Sequence, residues 1–184
     1  DVTARSTAQR ARLGLGRTFQ ISALAMGYTV LENAVLGAVG QSGSVFQFFK
    51  PVMKNPVLLS QARTALDRVG LQAHENTITS ELSHGQRRQL EVAVALTLEP
   101  KAFIMDEPMA GMGAEGSKEL TGFLQELKQE APILLVEHDM DAVFALADRI
   151  SVLVYGKIIA TGNVDEIRAN PQVRLAYLGE EEPA

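Results

Sequence analysis

The sequence contains no cysteine, no long apolar run and no cluster of basic residues. Without cysteine it can form neither a disulfide framework nor a cysteine-ligated zinc site. No apolar run approaches the ~18 residues that a membrane-spanning helix needs, and the polar start of the chain has no signal-peptide core. Phosphate neutralisation needs clustered Lys and Arg, so the net charge of -5 argues against a nucleic-acid-binding protein. A soluble globular protein is the expected class.

The pattern of apolar residues predicts alternating strands and helices. Capping boxes, in which Glu or Gln follows a Thr, Ser or Asn by three positions, mark helix starts at Thr29, Ser83 and Asn163. Further helices are predicted over about 56–69, 119–130 and 139–147, and strands over 17–20, 102–105, 133–136 and on both sides of Tyr155-Gly156. This order indicates an α/β fold with a parallel core, in which 102–105 and 133–136 are buried strands.

The sequence has no G-x-x-x-x-G-K-[ST] loop, the usual cradle for nucleotide phosphates. The nearest string is GMGAEGSK, at 111–118. A working loop follows a strand directly and places Lys before Ser or Thr, so that the amine reaches the β/γ-phosphates. Here the string follows Asp-Glu-Pro and its last two residues are reversed. We therefore expect Lys118 to lie on a helix surface.

Two adjacent carboxylates, Asp106 and Glu107, follow a clean apolar strand and precede Pro108. Ligands of open parallel sheets bind at the carboxyl ends of the strands. In that place Asp106 is suited to hold Mg²⁺, usually through water, and Glu107 is suited to polarise an attacking water. The alternative is an acidic strand end that is simply solvated.

The segment 83–86 offers a second place for a phosphate. A helix N-terminus presents unpaired N–H groups and a partial positive charge to an anion, and Gly85 would let a phosphate approach the backbone. The alternative is that Ser83 and Gln86 only cap the helix. We expect His84 to be an exposed first-turn residue without a ligand role.

Two further polar residues, Gln20 and His138, are weaker candidates. Gln20 could coordinate a metal or a water, and His138, which follows the strand 133–136, could donate a hydrogen bond to a terminal phosphate. Each residue type is more commonly structural in such a place. The order and spacing of all these segments carry more weight than any one of them.

The ordered strings RTFQ, LSHGQ, AFIMDEP and VEHD resemble the ATP-binding subunit of ABC transporters, along essentially the whole chain. In this resemblance Gln20 matches the Q-loop, segment 83–86 the signature motif and His138 the switch histidine. Residues 103–106 match the Walker B strand, with Glu107 as the catalytic carboxylate. The strings GLGRTFQ, TVLENAVLGA, EPMAGM and NPQVRLAYLGE are most similar to the subunits that power branched-chain (hydrophobic) amino acid uptake.

The resemblance implies a P-loop NTPase core of the ABC ATPase type with a helical subdomain, acting on ATP with Mg²⁺. Two ATP-binding subunits, identical or different, pair head to tail, and each ATP lies between one subunit's P-loop and the other's signature motif. Ser83, Gly85 and Gln86 would contact the partner's ATP. Asp106 and Gln20 would hold the metal.

On the same resemblance, Gln20, Glu107 and His138 would serve ATP on their own subunit. The P-loop and its strands are expected ahead of Asp1, with truncation as the simplest explanation of their absence. We therefore expect the 184-residue chain alone to be inactive and prone to self-association through exposed strand edges. Two departures from the family pattern are Gly113, where an acid of the D-loop is usual, and His84, where a glycine is usual.

The resemblance also implies an organisation and a cellular place. Residues 1–20 would be the end of the core lobe running into the Q-loop, 21–98 the helical subdomain with the signature motif, 99–162 the remainder of the α/β core, and 163–184 a C-terminal helix and tail. The helical subdomain would dock transmembrane permease subunits at the cytoplasmic face of the inner membrane. The alternatives are the ATPase of a related urea or lipopolysaccharide transporter, a soluble ATPase of the same superfamily, and a docking module that lacks a P-loop.

Overall fold

The structure is a computed structural model that describes residues 1–17, 24–42 and 51–178. The described residues fall into two compact units, divided between Glu137 and His138. Within the described ranges, no helix has both the length and the apolar character needed to cross a membrane.

The first unit contains five helices and three strands among its described residues. In chain order these are α1 (Thr7–Arg12), β1 (Leu15–Arg17), α2 (Val30–Ser42), α3 (Pro56–Arg68), α4 (His84–Leu96), β2 (Ala102–Asp106), α5 (Ala114–Glu130) and β3 (Ile133–Val136). Short 3-10 turns lie at Val52–Lys54, Gln72–His74 and Thr79–Glu81.

The three strands form a parallel sheet in the order β1-β2-β3. Leu15 lies opposite Ala102, and Phe103 lies opposite Ile133. The predicted parallel core is therefore confirmed, with β2 at its centre. Carboxyl ends of parallel strands share one edge of the sheet, so the residues after β2 and after β3 lie on the same side.

The two faces of this sheet differ in exposure. Phe103 and Met105 of β2 are almost fully buried, whereas Leu134 and Val136 of β3 are 61% and 51% exposed. The prediction of 133–136 as a buried strand is thus wrong for these two side chains, because no described segment covers that face. Parallel sheets are ordinarily covered on both faces, whereas one face of this sheet is exposed at Leu134 and Val136.

Helices α2, α3 and α4 pack together into a helical lobe. Its core consists of small and branched side chains from all three helices: Val30, Ala34, Val35, Ala38, Ala62, Ala65, Leu66, Leu90 and Ala93. The predicted capping box at the start of α2 is present, since Glu32 accepts the Thr29 N–H at 2.8 Å and Thr29 Oγ1 accepts the Glu32 N–H at 3.1 Å. The predicted end of α3 is also confirmed, with Gly70 in a left-handed conformation.

The buried side chain of Asn33 connects the start of the helical lobe to the segment before α4. Asn33 accepts a hydrogen bond from the Ala25 N–H at 2.8 Å and donates to Thr79 Oγ1 at 2.9 Å. The backbone adds bonds from Thr79 N–H to the Tyr28 carbonyl and from Val30 N–H to the Thr77 carbonyl. The segment that leads into α2 is therefore fixed against residues 75–80.

Three features of the first unit differ from the sequence predictions. The first strand occupies Leu15–Arg17, because its extent is set by pairing with β2, and residues 18–20 of the predicted strand lie outside the described residues. Helix α1 was not predicted, although Ser6 and Gln9 form a capping box before it. Helix α5 begins five residues earlier than predicted, since its first turns are polar and exposed and carry no apolar periodicity.

The second unit contains α6 (Met140–Leu146), β4 (Ile150–Val154), β5 (Lys157–Gly162), α7 (Val164–Ala169) and α8 (Pro171–Leu178). The strands β4 and β5 form the predicted antiparallel hairpin, and both turn residues, Tyr155 and Gly156, have positive φ. That combination is typical of a type I′ turn. The predicted capping box before α7 is confirmed. One C-terminal helix was predicted where the structure has two, α7 and α8, and residues 179–184 lie outside the described residues.

Candidate functional site

The start of α4 is capped by its own side chains and remains accessible to solvent. Ser83 Oγ accepts the Gln86 N–H at 3.2 Å, and Gln86 Oε1 accepts the Ser83 N–H at 2.9 Å. Ser83 and His84 are exposed, while Gly85 and Gln86 are half-buried. The capping box predicted at Ser83 is confirmed. The cap occupies the Gln86 N–H, and the positive end of the helix dipole lies at the exposed residues Ser83 and His84.

Gly85 lies on the first turn of α4 beside Met112. A Cβ atom added at Gly85 would meet Met112 Cε at 3.6 Å, which is an ordinary van der Waals contact. Packing with the described residues therefore does not require a glycine here. The missing side chain instead leaves room for an external group to approach the backbone.

Gly111 is different, because its left-handed backbone favours glycine and the His84 side chain lies where a Cβ atom would stand. Its φ is +73°, and an added Cβ would lie 2.7 Å from His84 Cδ2. The imidazole ring of His84 thus rests directly on the backbone of the segment that follows β2. The prediction of His84 as an exposed first-turn residue is confirmed, and this packing contact was not predicted.

Asp106 is the last residue of β2, and Glu107 begins the turn beyond it. Glu107 has a φ of 45°, a left-handed conformation that is rare for a residue with a side chain. Its N–H donates to the Val136 carbonyl at 2.8 Å, and its carbonyl accepts the Ala110 N–H at 3.1 Å. This conformation redirects the chain sharply at the sheet edge, and such backbone strain is concentrated at functional sites.

Glu137 holds the turn after Glu107 in place and was not singled out from the sequence. Its Oε1 atom accepts the Met109 N–H at 3.0 Å. Thr121 Oγ1 lies 3.8 Å from Met109 Sδ and donates its hydrogen to the Ser117 carbonyl at 2.7 Å. A signal was available: Glu137 directly follows β3, whose carboxyl end shares an edge with that of β2.

His74 is the second residue that the sequence did not reveal. Its Nε2 atom lies 3.1 Å from Gln86 Nε2, so this ring touches the side chain that caps α4. The next residue, Glu75, accepts hydrogen bonds from Arg63 of α3 at 2.8 and 3.4 Å. The Arg63 guanidinium holds the pKa of Glu75 below its ordinary value, and the carboxylate raises the pKa of Arg63.

The first unit therefore brings two of the predicted groups together. The capped start of α4 carries Ser83, Gly85 and Gln86, and it contacts the segment after Asp106 and Glu107 through the His84–Gly111 pair. Gln20 lies outside the described residues. His138 is the first residue of the second unit, directly before Asp139, which caps α6.

The predicted Mg²⁺ site has few protein donors among the described residues. Among the described residues no group of three or more His, Cys, Asp or Glu side chains could hold a metal ion. Asp106 is half-exposed at the end of β2. Mg²⁺ commonly binds through one or two carboxylates together with waters and substrate phosphates. A single accessible carboxylate at the sheet edge fits that pattern, whereas a cage made only of protein ligands would not.

The sequence matches two protein families. Residues 1–110 match the family described as ABC transporter, and residues 157–183 match the family described as branched-chain amino acid ATP-binding cassette transporter. Together they cover the start of α4, the carboxylates after β2 and the C-terminal region.

Named relatives agree with these matches. The chain is 39% identical over 181 residues to the high-affinity branched-chain amino acid transport ATP-binding protein LivG of Salmonella typhimurium, covering 94% of this chain and 70% of that protein. It is 38% identical to LivG of Escherichia coli with the same coverage. BraF of Pseudomonas aeruginosa is 33% identical, with coverage of 92% of this chain and 69% of BraF.

Solved structures show the same fold. The ADP conformation of an ATP-binding cassette of an ABC transporter superposes with a TM-score of 0.82 at 30% identity, covering 98% of this chain and 74% of that one. A nucleotide-free ATP-binding cassette from an ABC transporter gives a TM-score of 0.82 at 29% identity, again with 98% and 74% coverage. The α/β fold of the P-loop NTPase type, with its helical lobe, is therefore confirmed.

Proposed function

This chain belongs to the ABC transporter ATP-binding family, and we propose that it drives an importer of branched-chain amino acids by hydrolysing ATP. The observation that carries this proposal is the pairing of two groups in one folded unit. The exposed, capped start of α4 touches the segment that follows the carboxylates Asp106 and Glu107. Relatives named for branched-chain amino acid transport supply the substrate class.

The start of α4 is proposed to act on the ATP of a second ATP-binding subunit. The N–H groups at the start of the helix and the helix dipole favour a negatively charged oxygen, and the charge on a transferring phosphoryl group grows on such oxygens. Ser83 adds a hydroxyl, and Gly85 leaves space for close approach of the phosphate. Gln86 keeps the first turn formed through its capping bond to Ser83.

The carboxylates after β2 are proposed to act on ATP bound to their own subunit. Glu107 would accept a proton from the attacking water, or orient that water, because a carboxylate can do either. Asp106, with Gln20, would hold Mg²⁺, which when bound neutralises charge on the phosphate oxygens. Glu137 fixes the turn beyond Glu107 through Met109 and so limits where the Glu107 backbone can go. His138 would donate a hydrogen bond to the terminal phosphate.

The proposed docking surface for membrane partners is the exposed apolar part of the helical lobe. Met26, Tyr28, Leu36 and Val57 are apolar and 37–62% exposed on and around α2 and α3. Transmembrane permease subunits would dock on this lobe and hold the protein at the cytoplasmic face of the inner membrane. The second ATP-binding subunit would approach the start of α4.

The test is ATP hydrolysis by the complete subunit, assembled with its permease subunits in lipid vesicles. We expect Mg-ATP turnover that is stimulated by branched-chain amino acids, and we expect Glu107→Gln to lower kcat by about 10² to 10⁴. The matched control is Glu119→Gln, since Glu119 is an exposed carboxylate on α5. Stimulation by urea alone would favour a related urea transporter.

The isolated 184-residue chain serves as a second control. Because its sequence has no G-x-x-x-x-G-K-[ST] loop, we expect no Mg-ATP turnover from it. If the complete subunit binds permeases and also shows no turnover, a docking role without hydrolysis replaces the proposed function.

A further inference from the structure

The hydrogen bonds at Gln86 are compatible with only one orientation of its side-chain amide. The Ser83 N–H is a donor and lies 2.9 Å from Gln86 Oε1, so the oxygen must face Ser83. The amide nitrogen Nε2 therefore faces His74 Nε2 at 3.1 Å. An amide nitrogen of this kind only donates. The imidazole nitrogen opposite it must accept.

This requirement determines the form of the His74 ring. An imidazole nitrogen accepts a hydrogen bond only when it carries no proton, and the neutral ring then has its proton on Nδ1. With a proton on Nε2, two donors would face each other across 3.1 Å. Gln86 would then lose either His74 or the Ser83 N–H.

The turn that carries His74 is hydrogen-bonded to its neighbours in the helical lobe. Glu75 is bound to Arg63 of α3 through two hydrogen bonds, and its carbonyl accepts the Leu31 N–H of α2 at 2.9 Å. The His74 N–H donates to the Leu71 carbonyl at 3.0 Å. The ring is half-buried. It is therefore presented to Gln86 by a turn that is hydrogen-bonded to α2 and α3.

We propose that His74, protonated on Nδ1, is a positioning residue that holds the Gln86 amide and thereby fixes the first turn of α4 for phosphate contact. The inference rests on the proposed function, in which that turn contacts the partner subunit's ATP. His74 touches no substrate in this arrangement. It acts through Gln86, whose other end caps the helix at Ser83.

The spectroscopic test addresses the contact directly and does not depend on ATP hydrolysis. Nitrogen NMR of the complete subunit, with ¹⁵N-labelled histidine, reports which ring nitrogen of His74 carries the proton. We expect a proton on Nδ1 and a hydrogen-bond coupling from the Gln86 side-chain amide to Nε2. A proton on Nε2 would overturn the proposal.

The kinetic test compares two substitutions in the assembled ATPase. His74→Leu removes the acceptor, and we expect kcat to fall roughly three- to tenfold, the effect of one hydrogen bond, with KM for ATP nearly unchanged. His74→Gln places an oxygen near the position of Nε2, and we expect it to restore most of the lost rate. Gln72→Leu, an exposed change on the same 3-10 turn, is the matched control.

These outcomes separate the positioning role from simple packing and from the proposed function. If His74→Gln is as slow as His74→Leu, or if His74→Leu is as fast as the wild type, the positioning role is wrong. Thermal melting of each variant shows whether a slow variant is also unfolded. If the wild-type assembly does not hydrolyse ATP, the proposed function fails, and the NMR result still decides whether His74 holds Gln86.

Discussion

The imidazole ring of His84 lies against the backbone of Gly111, so close that a Cβ atom at Gly111 would stand 2.7 Å from His84 Cδ2. His84 belongs to the first turn of α4, and Gly111 belongs to the segment after the carboxylates of β2. The two groups proposed to serve different ATP molecules are thus in direct contact within one subunit. A substitution at either residue should therefore alter the position of both groups.

Replacing Gly111 with alanine should destabilise the protein. The left-handed backbone alone costs about 1–2 kcal/mol for a residue with a side chain, and the new Cβ would also press on His84. We expect a lower midpoint in urea denaturation. The variant His84→Ala provides the control, because the double variant should recover the part of the loss that comes from the ring and retain the part that comes from the backbone. Full recovery in the double variant would contradict a backbone origin.

Replacing Gly85 with alanine should separate stability from activity. The new Cβ makes only an ordinary contact with Met112, and alanine favours a helix by roughly 0.5–1 kcal/mol over glycine. We therefore expect unchanged or higher stability, together with a fall in ATP turnover on the order of 10² in the assembled transporter. Gly122→Ala on α5 is the matched control, since an added Cβ there meets nothing within 4 Å. Normal turnover by Gly85→Ala would argue against close approach of a phosphate at this turn.

Replacing Gly113 with aspartate should stabilise α5. Gly113 is the N-cap of this helix, with φ -71° and ψ 168°, and it offers no side-chain cap. An aspartate would accept a hydrogen bond from the first turn and place a negative charge at the positive end of the helix dipole, together worth about 0.5–1 kcal/mol. The midpoint of thermal unfolding should rise. Gly113→Ala, which adds a Cβ but no acceptor, should lower it, and a rise in both variants would rule out the capping explanation.

The Arg63–Glu75 pair should make stability depend on pH in the acid range. Hydrogen bonding to Arg63 lowers the pKa of Glu75 in the folded protein, so its contribution is complete above the ordinary carboxyl pKa and is lost as the pH falls through the lower folded value. The loss of stability caused by Glu75→Gln should therefore be larger near neutral pH than in acid. Urea denaturation at several pH values measures this difference. A constant difference across the range, or one that grows in acid, would contradict the assigned cause.

Local chemistry made much of this structure predictable. The capping boxes at Thr29, Ser83 and Asn163 depend on side chains three positions apart, and all three form as predicted. The type I′ turn at Tyr155-Gly156 is also encoded within a few residues. The strand before Asp106 was predictable because a continuous apolar run is followed directly by two carboxylates and a proline. The roles of Asp106 and Glu107 in catalysis stay predictions.

Features that arise from distant parts of the chain were not predictable in this way. The bounds of β1 depend on a partner strand that starts at Ala102. The contact between His74 and Gln86 depends on a turn held by α2 and α3, and histidine is common enough on protein surfaces that its position carries no signal. Glu137 holds Met109 only because β2 and β3 end at the same edge. Leu134 and Val136 were predicted to be buried and are exposed. A sequence pattern shows that a strand is apolar but not whether another layer covers it.

The parallel register of β1 on β2 has a consequence for the order in which the chain folds. Leu15 and Ala102 are neighbours in the sheet although about 87 positions separate them in the chain, so this pairing must close a long loop before it gains any contact. The β4–β5 hairpin closes over two turn residues, and hairpins form within about 1–10 μs. The hairpin should therefore acquire its native pairing early, whereas β1 should join the sheet late, after the helical lobe between the two strands has brought its ends together.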